Sequence, residues 1–247
     1  MDSFSTPRLS GEELRRGADL LCQPCRMAPP AFSKAVAFGA YQGHLRSLIH
    51  LLKYDGMQPV AHGLGKLLAR SLTALAPCLD SVAESGFVAP KEMLVIPVPM
   101  HRAKQRQRGF NHAELLAQAA VSRLRRTHSG WELRLATGLL QRAKSTASQA
   151  GLTASQRRRN LRGAFLAPQP ARLANRHILL VDDVYTTGST ARACSRVLVN
   201  AGAASVWIAT VARAQREGVA LWDSHFLGRA GGHSSPSGRG PLELSEG

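Results

Sequence analysis

Two kinds of apolar spacing alternate along this chain. Ala35 to Tyr41, Met93 to Val98, Ile178 to Val181 and Val206 to Val211 are short, nearly continuous apolar runs, the pattern of strands covered on both faces. Between them the apolar residues fall at helical spacing. Leu45, Leu48, Ile49 and Leu52 form one stripe, ending near Gly56, and a second runs from Val60 to Leu75. Leu115, Leu116, Ala119, Ala120 and Leu124 form a third, opened by Asn111 with Glu114 three residues later; Ala191, Cys194, Val197, Leu198 and Ala201 form a fourth, stopped by Gly202. A further strand is expected over Leu133 to Leu140, and a short helix over residues 10–21. Buried strands alternating with amphipathic helices predict an α/β fold: a parallel sheet with right-handed crossovers and helices on both faces. Residues 77–92 and His101 to Phe110 read as loops, and residues 142–160 as a polar segment.

A chain of 247 residues holds one such core with short appendages. The expected division is an N-terminal segment over 1–30, a core domain over 31–213 and a flexible tail over 214–247, the last rich in Gly, Ser and Pro from Gly228 onward. Lys and Arg outnumber Asp and Glu by 32 to 16, a net charge of +16, which suits phosphorylated metabolites or nucleic acid as partners. Four cysteines, only two of them adjacent in a Cys-x-x-Cys pair, do not make a disulfide framework. With no basic and apolar leader at the start and no run long enough to span a membrane, the expected compartment is the cytoplasm.

The sharpest chemistry lies at residues 178–190. The run Ile178 to Val181 delivers Asp182 and Asp183 to a strand's carboxyl end, where open α/β sheets bind ligands. Thr186, Thr187, Gly188, Ser189 and Thr190 follow, supplying hydroxyls and closely spaced N–H groups just ahead of a helix, a cradle for an anion. Acids, then an anion loop, point to a sugar and its phosphate. A nucleotide-hydrolase reading fails because Gly63-Leu64-Gly65-Lys66-Leu67 lacks the spacing and the hydroxyl of a P-loop. Arg102, Lys104, Arg106 and Arg108 alternate between a strand end and a helix start, so they are aimed at the same rim of the sheet and suit a pyrophosphate.

Residues 178–190 resemble the phosphoribosyl pyrophosphate (PRPP) loop of type I phosphoribosyltransferases. The resemblance implies that Asp182 and Asp183 take the ribose hydroxyls, that Thr186 to Thr190 hold the 5′-phosphate, and that Mg²⁺ accompanies the ligand. The run Tyr41 to Tyr54, Pro97-Val98-Pro99 followed by Arg108-Gly109-Phe110-Asn111, and Gln149-Ala150-Gly151-Leu152 with Arg157 and Asn160 narrow the likeness to the ComF family. That family comprises phosphoribosyltransferase-like proteins associated with competence, the uptake of single-stranded DNA in natural transformation. It carries an N-terminal zinc ribbon of two Cys-x-x-Cys pairs. Here only Cys22 and Cys25 precede the core, half of a tetrahedral ligand set, so a degenerate remnant of the ribbon is expected. His112 stands where the family usually has Gln. Arg142, Lys144, Arg157, Arg158 and Arg159 lie where type I transferases carry a flexible loop over the substrate; a nucleic-acid backbone would suit the same cations. Aromatic residues make up 5% of the chain and are not interleaved with the basic clusters, so any contact with single-stranded DNA is expected to be electrostatic. Two functions stay open: a PRPP- and Mg²⁺-binding protein of DNA uptake that works with uptake proteins, or an active phosphoribosyltransferase of nucleotide metabolism or salvage with an unidentified acceptor.

Overall fold

A computed structural model describes residues 23–73, 92–128, 130–143, 156, 161 and 163–214. Five strands form one sheet: β1 (Lys34–Ala40), β2 (Glu92–Pro97), β3 (Glu132–Leu135), β6 (His177–Tyr185) and β7 (Ser205–Arg213). Their spatial order is β1-β7-β6-β2-β3, and every neighbouring pair is parallel. A separate antiparallel pair joins β4 (Gln141–Arg142) to β5 (Phe165–Leu166). The helices are α1 (Gln23–Met27), α2 (Gly43–Tyr54), α3 (Val60–Thr73), α4 (Arg102–Arg108), α5 (His112–Thr127) and α6 (Ser189–Asn200). Among the described residues no helix is long and apolar enough to cross a membrane.

The central strand alternates between two cores. Leu179 and Val181 face a cluster built by α2, α3 and α5 through Ile49, Leu52, Leu64, Leu68, Leu116 and Leu124. Ile178 and Leu180 face the other side, with Ala191, Cys194 and Leu198 of α6 and with Leu139, Leu140 and Phe165. The connection from β2 runs outward to β3, while that from β6 runs the opposite way to β7. With right-handed crossovers their helices must cover opposite faces, which opens a crevice beyond the carboxyl ends of β2 and β6. The two segments singled out for phosphate chemistry follow these two strands, and the Val98 N–H donates to Val181 O at 2.8 Å.

Two expected elements came out differently. The apolar run over Leu133 to Leu140 is a strand only as far as Leu135; its second half leaves the sheet edge so that Leu139 and Leu140 can pack on the α6 face. His101 to Phe110 is not a loop but holds α4, which His101 Nδ1 caps by accepting from the Ala103 N–H at 3.2 Å and which Gly109 ends at φ 80°. It buries no residue, so no apolar stripe announced it. The expected helix over 10–21 and most of the 77–92 and 142–160 segments lie outside the described residues, as does the tail beyond Ala214.

Where α3 crosses α5, a Cβ added to Gly65 would stand 2.3 Å from the Ala119 Cβ and 3.2 Å from the Ala120 N. Gly65→Ala gains about 1 kcal/mol of helix propensity but must push the helices apart, at about 1–3 kcal/mol. A lower denaturant midpoint with unchanged m-value is expected; a raised midpoint would mean that the crossing yields freely.

Candidate functional site

β2 stops opposite Val181, so β6 runs on past its neighbour and carries Asp182 and Asp183 to the rim of the crevice. Strand alternation sends their side chains to opposite faces. Asp182 lines a pocket with Thr186, Gly188, Ser189, Thr190, Val98 and Leu180. Asp183, 4% exposed, turns toward α2 and α5. There its Oδ2 meets Lys53 Nζ at 2.7 Å and His112 Nε2 at 2.8 Å. Lys53 comes from the last turn of α2, and His112 opens α5. Asn111 fixes that start: its Oδ1 accepts from the Ala113 N–H at 3.1 Å, and its Nδ2 donates to Val98 O at 3.1 Å.

The acids therefore ionise differently. Burial, and next the adjacent charge of Asp183, push the Asp182 carboxyl up to about 6, although His112 and Lys53 act against this. Burial would also raise Asp183, but His112 and Lys53 together outweigh it and hold that carboxyl far below the usual carboxylate range. Lys53 is itself raised, because the attraction of Asp183 overcomes the cost of burying an ammonium. Asp183 is thus the charged anchor of Lys53 and His112, and Asp182 is the carboxylate that lines the pocket. The Asp183 N–H donates to Asp182 Oδ1 at 2.9 Å, which holds the Asp182 carboxylate in place.

Beyond the acids the chain turns through the predicted anion loop. Gly188 takes φ 72°, at the N-cap of α6. The hydroxyls of Thr187 and Ser189 are hydrogen-bonded at 2.8 Å, and the Ser189 N–H donates to Thr187 Oγ1 at 3.4 Å. The first turn of α6 presents its backbone N–H groups to the same pocket, as an anion requires.

The cations divide in a way the sequence did not reveal. On a helix, Lys104 and Arg108 share one ridge and Arg102 and Arg106 another. Burial, then the positive charges of Arg142 and Arg108, depress Lys104. Arg142, whose guanidinium lies 5.5 Å over the Phe165 ring, is lowered by burial and drawn by Asp182. Lys104 thus feels both Arg108 of its own helix and Arg142, a residue of a separate predicted group, and Arg142 lies within the field of Asp182. Arg102, Lys104 and Arg106 are exposed, and Arg108 is half-buried. Lys144, Arg157, Arg158 and Arg159 lie outside the described residues.

Lys53 escaped the sequence reading, because nothing in α2 says that its last turn backs onto the end of β6. His112 was visible only as an unusual residue after Arg-Gly-Phe-Asn. The structure gives it a partner, Asp183.

Among the described residues, His112, Asp182 and Asp183 form the only group of three potential metal donors, their ligand atoms lying within 4.8 Å of one another. Cys25 belongs to no such group; it accepts from Arg192 Nη2 at 3.2 Å, and Cys22 lies outside the described residues.

Residues 112–228 match the phosphoribosyl transferase domain family. The chain is 34% identical over 189 residues, 76% of each sequence, to the DNA utilization protein YhgH of Shigella flexneri, and 31% identical over 189 residues to the protein of that name from Salmonella typhi. It is 32% identical over 195 residues, 78% of each sequence, to Competence protein F of Haemophilus influenzae. A parallel sheet with an acid-and-anion loop at its switch point, a phosphoribosyl transferase domain and relatives of this likeness together establish that the chain belongs to the ComF family of phosphoribosyltransferase-like proteins.

Proposed function

We propose that this chain binds PRPP with Mg²⁺ in the crevice between β2 and β6 and acts in the cytoplasm in the uptake and use of DNA. The observation that carries the ligand reading is the pocket itself, in which one displayed carboxylate, Asp182, faces the turn Thr186 to Thr190. The names of the relatives, DNA utilization and competence, support the process.

Asp182 would take the ribose hydroxyls, while the hydroxyls and N–H groups of Thr186 to Thr190 would hold the 5′-phosphate. Lys104 and Arg142 would meet the pyrophosphate with charge-assisted bonds, while the Arg108 guanidinium is taken up by the Tyr54 ring. Hard carboxylate oxygens suit Mg²⁺, which binds through one or two carboxylates and the ligand's own phosphates. Because Lys53 and His112 already engage Asp183 Oδ2, Asp182 is the side chain that would hold the ion. When bound, Mg²⁺ would offset the phosphate charges. The same two cations favour a second reading, an active transferase of nucleotide metabolism or salvage with an unidentified acceptor, because they would also stabilise departing pyrophosphate. Release of pyrophosphate on addition of candidate acceptors separates the two.

Thermal melting tests the binding. PRPP with Mg²⁺ at about 100 times its dissociation constant adds roughly 2.7 kcal/mol. Arg142→Gln should shrink this shift and leave that of ribose 5-phosphate in place. No shift in the unaltered protein, with or without Mg²⁺, would rule out the ligand.

A further inference from the structure

On the outer side of the same rim lies an aromatic and cationic group that the sequence does not join. Lys53 turns inward to Asp183, while its neighbour Tyr54 turns outward and is 62% exposed. The ring of Tyr54 lies 4.4 Å from that of His50 at an interplanar angle of 37°, and the Arg108 guanidinium sits 5.1 Å from its centroid. Arg46, His50 and Tyr54 follow one another at four-residue spacing, so they line a single ridge of α2, and all three are exposed. Neither α2 nor α4 contains an acidic residue; Asp55, the C-cap of α2, is the nearest carboxylate in sequence. The aromatic residues and the basic cluster, separate in sequence, are thus interleaved on the surface.

We propose that the α2–α4 face binds single-stranded nucleic acid, one base stacking on the Tyr54–Arg108 pair while Arg46, on the ridge of Tyr54, meets a neighbouring phosphate and the exposed cations of α4 add to the attraction. This rests on the nucleic-acid part of the reading above and adds base stacking to a contact that composition alone made purely electrostatic. A ring that remains largely solvent-exposed beside a guanidinium offers the flat surface that unpaired bases occupy. A duplex keeps its base faces stacked inside and cannot use it. The occupant is a strand rather than a mononucleotide because four exposed cations remain beyond the pair, Arg46 on α2 and Arg102, Lys104 and Arg106 on α4, more than one phosphate employs. Phosphates of a strand also suit the excess of basic residues over the whole chain, a net charge of +16.

The test is the affinity of the full chain for a fluorescein-labelled oligothymidylate, measured by anisotropy across a salt series. Tyr54→Ala should weaken binding roughly 5- to 150-fold, the worth of one base–aromatic stack, without changing the slope of log affinity against log salt. Tyr54→Phe should bind as the unaltered protein does. Arg46→Gln should instead reduce the slope by about 0.7, the value for one lost phosphate contact with a single strand. An abasic oligonucleotide of the same length should lose affinity for the unaltered protein as the thymidylate does for Tyr54→Ala, which tests stacking without any substitution. Equal binding of thymidylate and abasic strands, or full affinity in Tyr54→Ala, would overturn the stacking site while leaving a nucleic-acid role intact. Competition by thymidine monophosphate at the oligomer's own affinity would overturn it as a strand site. No binding of the oligomer by the unaltered protein would overturn both this site and the nucleic-acid reading, and in each case the PRPP-induced thermal shift reports separately on the pocket.

Discussion

Asp183→Asn is expected to destabilise the ligand-free protein by about 3 kcal/mol at neutral pH, whereas Asp182→Asn should cost little and abolish the PRPP-induced thermal shift. The two changes are chemically identical and one residue apart, so the difference comes from what each carboxylate touches. Asp183 holds Lys53 at 2.7 Å and His112 at 2.8 Å; neutralising it leaves an ammonium at a largely buried site without its main counter-charge, a loss usually worth about 3–5 kcal/mol. Among the described residues Asp182 forms no such ion pair, and it sits against a like charge, so Asn removes a repulsion. Titration should separate them further. Asp183 has its native carboxyl held low, so its contribution is present above the unfolded value of about 3.9 and is lost as pH falls toward the native value. Asp182 works in the opposite sense. With its native carboxyl pushed up to about 6, the folded chain holds a proton that the unfolded chain has released, so ligand-free stability should fall between pH 4 and 6 and level off above. In Asp182→Asn that slope should vanish. Equal stability losses in the two variants would mean that the acids share one environment and that the ion pair with Lys53 and His112 does not form.

How much of this site the sequence disclosed depends on whether the signal is local. Asp182, the turn through Gly188 and the start of α6 form one continuous segment, and the order apolar run, acid, small hydroxyl residues carries their geometry in itself. The opposite orientation of Asp182 and Asp183 follows from strand alternation once both residues lie within β6. The loop reading of α4 failed for a physical reason: a helix that buries nothing leaves no periodic mark, and Arg, Lys and Gln serve loop and helix alike. Lys53 and Tyr54 depend on where the last turn of α2 falls against β6 and α4, a tertiary fact. Arg142 opens the polar segment 142–160, which resembles the flexible loop of type I transferases, and only the pairing of β4 with β5 separates it from the rest of that segment.

The second large effect is expected at Gly188, where the demands of φ and of space coincide. At φ 72° a residue with a side chain costs roughly 1–2 kcal/mol, and a Cβ there would stand 2.2 Å from the Tyr185 Oη and 2.6 Å from its Cζ. Tyr185 has little freedom to withdraw: its ring makes an edge contact with Phe32 at 6.5 Å between centroids, and the Arg213 guanidinium lies 5.5 Å over it. Gly188→Ala must therefore either displace this ring or flatten the turn between Thr187 and Ser189, whose hydroxyls are linked at 2.8 Å. Either response moves the N–H groups of the loop apart. Binding of ribose 5-phosphate, followed by calorimetry, should weaken at least about tenfold, equivalent to 1.4 kcal/mol, and the melting temperature should fall as well. Gly188→Asn distinguishes the two causes. Asn tolerates the left-handed region but carries the same Cβ, so it should restore part of the stability and none of the affinity if space decides. Full recovery of affinity in Gly188→Asn would assign the effect to φ alone, and unchanged affinity in Gly188→Ala would remove the Thr186 to Thr190 turn from the phosphate site.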